Sequence, residues 1–157
     1  MSFAAPTSRI IAGATFQVGI VAAYYNEQLV NALLVRVLEE LHRSGVKEKN
    51  IRVLRVPGSH EVPWAAGELA RLKGCDAVVA LGVLIGGDTN HHEMVGQSVS
   101  LALQQVALTT RVPVINGVIV TNTLAQARSR CIGRIDRGAE FAHAALEMAV
   151  LKRKLKS

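Results

Sequence analysis

The run Gly86-Gly87-Asp88-Thr89-Asn90-His91 puts an imidazole just after a glycine turn, a pairing that could hold a phosphate and move a proton. Two glycines allow backbone geometry closed to other residues and let a ligand approach closely. Free backbone N–H groups at a helix start suit an anion. Imidazole titrates where it can both take and return a proton. His91 is expected in the first turn of the following helix, beside whatever binds there. Asn90 is expected to cap that helix, with Glu93 closing a capping box. On spacing alone the same residues also fit an ordinary turn with a surface histidine.

Such a turn needs a strand before it and a helix after it. Cys75 to Ile85 is almost continuously apolar, as expected for a strand covered on both faces. Phe16 to Ala23 reads as a first strand. Glu27 to Ser44 follows as a helix, with Leu29, Val30, Leu33, Leu34, Val37, Leu38 and Leu41 at helical spacing, Asn26 as cap and Gly45 as stop. Ile51 to Val56 is a second strand, and a helix starts near Val62, with Pro63 in its first turn, and ends before Gly74. Ala77 to Ile85 is the third strand and His91 to about Thr110 the third helix. Pro113 to Val120 is a fourth strand, Thr123 to Cys131 a short helix and Arg137 to Leu155 a final one. Strand and helix thus alternate four times, which predicts a three-layer α/β/α flavodoxin-like domain around a four-stranded parallel sheet. Residues 16–157 read as that single domain. Residues 1–15 read as an N-terminal arm, a candidate extra edge strand for a neighbour.

Composition narrows the class. Half of the 157 residues are apolar and only 4% aromatic, so Ala, Val and Leu carry the hydrophobicity. That suits tight helix-on-sheet layers and apolar surface covered by other subunits. The net charge of +6 is scattered, apart from Arg128 to Arg137 and the tail Lys152-Arg153-Lys154-Leu155-Lys156. The tail reads as a solvated helix end whose cations complement the helix dipole. No recognised motif accompanies the charge, so no nucleic acid is expected. Cys75 and Cys131 lack metal-ligand spacing, and a reduced, cytoplasmic location is expected. No signal peptide is expected, and no apolar stretch is long enough to span a bilayer.

In a parallel sheet, ligands bind beyond the carboxyl ends of the strands. Four segments should crowd that edge: Tyr24-Tyr25-Asn26, Gly58-Ser59-His60-Glu61, Gly86 to His91, and Thr121-Asn122-Thr123. Bland roles exist for each. Tyr25 fits a strand-end core residue, Asn26 a simple cap, Glu61 a helix-dipole partner, Val83 and Leu84 plain core, and Arg130 a solvated helix charge.

Taken together the segments resemble the lumazine synthase family. The matching pieces are Val56-Pro57-Gly58-Ser59-His60-Glu61-Val62-Pro63, Leu81 through His91, Val112 to Val118, Gln126-Ala127 with Arg130, and Gly138-Ala139-Glu140 leading into Ala144 to Met148. The resemblance runs in order from about Phe16 to Leu151. It implies condensation of 5-amino-6-(D-ribitylamino)uracil with 3,4-dihydroxy-2-butanone 4-phosphate to 6,7-dimethyl-8-ribityllumazine, with no metal and no organic cofactor. By the same resemblance, His91 is the proton-transfer residue, with His92 as packing or support. Gly87, Asp88, Thr89 and Arg130 hold phosphate. Tyr25 stacks on the pyrimidine, and Asn26 and Glu61 bond its polyol or ring. Ser59, His60, Val83, Leu84 and Ile85 line its pocket, with Asn116 and Arg137 completing the substrate-binding set.

Several positions depart from the family's pattern. Arginine often stands where Gly86 does, an aromatic residue where His60, His92 and Asn116 do, and arginine where Tyr24 does. The loop after Arg130 is here the shorter Ile132-Gly133-Arg134-Ile135-Asp136-Arg137. The resemblance implies a pentamer-based homo-oligomer with sites between subunits, and riboflavin synthase as a candidate partner. The altered loop tilts the expectation from a hollow shell towards a pentamer or a pair of pentamers. Two rivals use the same fold: a domain binding flavin or nucleotide phosphate at Gly86–Thr89, and a shell-forming, lumazine-binding relative without the condensation.

Overall fold

Alternation along the strands decides the layers, because successive side chains of a strand point to opposite faces of its sheet. In the computed structural model, which describes Ala4, Thr7 and residues 9–156, Ile20 and Ala22 enter one core while Val21 and Ala23 enter another. Val79, Leu81 and Val83 likewise oppose Val78 and Ala80. These residues lie in β1 (Val18–Ala23) and β3 (Ala77–Ile85), which β2 (Ile51–Val56) and β4 (Val114–Thr121) flank in the parallel order β2-β1-β3-β4. Ala23 pairs with Val56, Ala22 with Leu81, and Ile85 with Thr121.

The helices α1 (Glu27–Arg43), α4 (Leu124–Cys131) and α5 (Arg137–Lys156) cover one face, through Leu29, Leu33, Leu41, Ala127 and Leu146. On the other, α2 (Val62–Ala70) and α3 (His91–Thr110) pack through Ala65, Leu69, Val99 and Leu103. Each large apolar chain so buried contributes about 1.5–3 kcal/mol. The predicted three-layer domain is therefore present. Gly45 ends α1 at φ 89°, with its N–H on His42 O at 2.9 Å and Val46 N–H on Leu41 O at 3.0 Å, a Schellman closure.

The differences are local. β1 starts at Val18 rather than Phe16, α2 stops at Ala70, and α5 runs one residue further than expected. No strand occurs at residues 9–15; the rest of the expected edge strand, except Ala4 and Thr7, lies outside the described residues. The tail is not simply solvated. Arg153 Nε and Nη2 reach the two oxygens of buried Asp76 at 2.9 and 2.8 Å, and the guanidinium lies 4.4 Å over the Phe16 ring. No described helix is long and apolar enough to cross a membrane.

Candidate active site

After β2 the chain passes β1 and adds β3 on its far side, so a crevice opens between the carboxyl ends of β1 and β3. Asn26 bridges that crevice. Its Nδ2 donates to Val83 O at 2.7 Å, while its backbone sits in the left-handed region at φ 57°. The expected side-chain cap on α1 is absent, because the amide is spent on β3 instead. Tyr25 is 74% exposed, so it is not a core residue. Its backbone N–H meets Pro57 O at 3.1 Å, and its ring lies against Gly58, tying the β1 and β2 ends together.

Glu61 accepts from Gly58 N–H at 2.9 Å and so holds the turn before α2 closed. Ser59 is buried over Gly82 of β3, and its hydroxyl has no partner among the described residues. His60 beside it is exposed. Val83 is core, whereas Leu84 and Ile85 are half-buried at the rim.

Gly86 donates to Thr121 O at 2.8 Å. A Cβ added there would sit 2.6 Å from Asn122 O, so any side chain at this position would force the two turns apart. Gly87 has open space around it, and Asp88, Thr89 and His91 are exposed. Asn90 and Glu93 do not form the expected capping box: the Asn90 side chain makes no cap bond. Thr89 Oγ1 serves instead, accepting from His91 N–H at 3.4 Å. Thr89 and the open Gly87 backbone thus flank His91 at a helix start, an arrangement suited to an anion beside a proton carrier.

Three expected residues make bonds away from the His91 turn. Asn116 pairs with Ala80, which puts it about 16 Å back along β4 from Thr121 at the usual strand rise. Its Oδ1 accepts from Val118 N–H at 3.1 Å. Arg130 turns back along α4, its Nη1 donating to Gln126 O at 3.1 Å. Arg137 opens α5 and meets Glu140 at 2.9 Å. Asn122, expected at this edge within Thr121-Asn122-Thr123 but given no role of its own, receives His92: Nε2 lies 3.2 Å from Asn122 Oδ1. The signal was a polar residue straight after an apolar strand, opposite an unusual histidine.

Cavities of about 570 and 360 Å³ lie at the opposite, amino edge, lined among others by Gln17, Arg52 and Lys73, and by Arg71, Thr110 and Lys152. At the carboxyl edge Tyr25, His60, Thr89 and His91 are exposed and form an open shelf.

Residues 15–153 match the model of the 6,7-dimethyl-8-ribityllumazine synthase family. The chain belongs to that family. It is 43% identical over 139 residues to the 6,7-dimethyl-8-ribityllumazine synthase of Aquifex aeolicus, covering 88% of this chain and 90% of that one. The synthase of Polaromonas sp. is 41% identical, over 88% of each chain. That of Paracidovorax citrulli is 41% identical over 91% of each. The Gly58–Glu61 and Gly86–His91 turns are both inside the span matched to the lumazine synthase family.

Proposed function

We propose that this chain condenses 5-amino-6-(D-ribitylamino)uracil with 3,4-dihydroxy-2-butanone 4-phosphate, releasing inorganic phosphate and water and forming 6,7-dimethyl-8-ribityllumazine. The observation that carries the reading is the single shelf formed by the Tyr25, Gly58–Glu61 and Gly86–His91 turns in a chain of this family. The substrate's amine attacks the ketone, a first water leaves as the imine forms, and phosphate is expelled. After tautomerisation the ribitylamino nitrogen attacks the remaining carbonyl and closes the ring with loss of a second water. Tyr25 offers a flat face to the pyrimidine, Asn26, Ser59, His60 and Glu61 flank it, and Val83 to Ile85 floor it. Thr89 and the Gly87–Asp88 backbone receive the phosphate. Holding two reactants together supplies about 7–11 kcal/mol of the acceleration. Proton transfer by His91 contributes a further factor of about 10²–10⁴.

The site is completed by a neighbouring copy that brings Asn116, Arg130 and Arg137. The 16 Å offset of Asn116, estimated from the strand rise, supports this, since one chain cannot present it to its own His91 turn. Met94, Leu101 and Leu108 stand exposed seven residues apart on α3, with Trp64 exposed on α2, as expected of a face covered by self-association. A pentamer-based assembly in the cytoplasm, with riboflavin synthase as consumer of the product, fits the same reading.

The test is direct. Purified protein mixed with both substrates should form the fluorescent lumazine faster than a no-protein control, without added metal or nucleotide. Equal rates from folded, assembled protein would refute the activity.

A further inference from the structure

We propose that His92 is a positioning residue that sets where Arg130 presents its charge, acting through Asn122 and Gln126. This rests on the reading of Arg130 as a phosphate-holding group. His92 is 8% exposed, and its Nε2 faces Asn122 Oδ1 at 3.2 Å. An amide oxygen only accepts, so the shared proton is on Nε2. Nδ1 is then a buried acceptor with no partner among the described residues. Burying an unpaired polar atom is unfavourable, and an apolar aromatic ring in its place would avoid it. The imidazole is therefore explained by the bond it makes rather than by the space it fills.

The bond continues into α4. Asn122 N–H donates to Gln126 Oε1 at 2.9 Å, and Gln126 N–H donates to Thr123 Oγ1 at 3.2 Å. The carbonyl of the same Gln126 accepts from Arg130 Nη1 at 3.1 Å. A hydrogen-bonded path thus runs from the residue beside His91 to the guanidinium. Gly86 reinforces its first link, because only a residue without a side chain lets the two turns press backbone to backbone at Asn122. Gly86 and His92 thus meet at one asparagine. In a ring with shared sites, the path would tie the proton-transfer half of one site to the phosphate half of the next.

His92→Phe keeps a ring and removes the donor; His92→Gln keeps a donor; Asn122→Ala cuts the same link from the other side. The KM for the phosphate substrate, kcat, and the affinity for inorganic phosphate by calorimetry are measured on assembled protein. His92→Phe and Asn122→Ala should each raise KM about three- to tenfold, the span of one lost hydrogen bond, with kcat nearly unchanged. Inorganic phosphate should weaken by the same factor, and His92→Gln should recover most of the loss. In an Arg130→Ala background, His92→Phe should change KM by less than about twofold, because linked residues are not additive. An unchanged KM and phosphate affinity, a loss in kcat alone, or full additivity with Arg130→Ala would each overturn the path. Should no variant or wild type catalyse the condensation, the proposed activity fails and the phosphate titrations alone decide this one.

Discussion

The two ends of β3 treat polar groups in opposite ways. At the amino end, Asp76 is 3% exposed and meets three donors: Arg153 Nε and Nη2, and Gln17 N–H at 2.8 Å. Arg153 also reaches Thr15 Oγ1 at 2.7 Å and Thr15 O at 2.8 Å. Hydrogen bonding to Asp76, aided by its charge, pushes the Arg153 pKa up further still. At the carboxyl end, Tyr25, His60, Thr89 and His91 stand exposed. Hydrogen-bonding capacity consumed inside the chain holds the fold together. Capacity left facing outward is available to a ligand.

The largest expected effect breaks only the carboxyl edge. His91→Ala should lower kcat by about 10²–10⁴ while leaving the melting temperature of the assembly where it was. Steady-state kinetics beside a thermal melt checks both halves. Turnover that survives the change would assign the proton transfer to another group.

Next come two arginines of the same chemistry at opposite edges. Arg130→Ala should raise the KM for the phosphate substrate at least about tenfold, since a charged hydrogen bond is worth about 1.5–3 kcal/mol. Arg153→Met keeps an aliphatic stem on Phe16 and strands Asp76, so it should cost a similar free energy of folding. It should lower the melting temperature by several degrees and leave KM alone. Crossed outcomes, with Arg130→Ala unfolding the protein or Arg153→Met raising KM, would erase the distinction between the edges.

Much of this division was legible in the sequence. Ile51–Val56, Ala77–Ile85 and His91–Thr110 have the expected bounds, because an apolar run or a helical stripe between glycine and proline stops is local information. Tyr25, Glu61 and His91 could be placed at one edge because each follows the carboxyl end of a strand in a sheet expected to be parallel. The two asparagine caps were not legible. Asn26 and Asn90 have the residue type of a cap, yet Asn26 is drawn to Val83, fifty-seven residues away, and Thr89 serves at α3. Arg153 looked like part of a solvated tail because its partner Asp76 lies seventy-seven residues earlier. Which side chain spends its hydrogen bonds on a distant strand is a tertiary fact, and local pattern carries no trace of it.

The smallest effect tests the contrast between two adjacent residues of α4. Arg130 is half-buried and charged, whereas Cys131 is fully buried in the core. Burial pushes the Cys131 thiol up to about 11, against the weaker opposing pull of Arg36 and Arg130. Below the ordinary value of 9.0 both folded and unfolded chains keep the proton, so this thiol adds no pH dependence there. Above it, the unfolded chain releases the proton while the folded chain retains it. Stability must therefore fall as pH rises from about 9 towards 11. Cys75 is also raised by burial, so the comparison is between wild type and Cys131→Ala, whose denaturant midpoint should fall less over that range. At pH 8 a thiol reagent should leave Cys131 untouched in native protein and label it after unfolding, because the thiolate is the nucleophile. Equal labelling rates in both states would show that α4 opens readily. Arg130 would then stand on a loose helix rather than one held by the core.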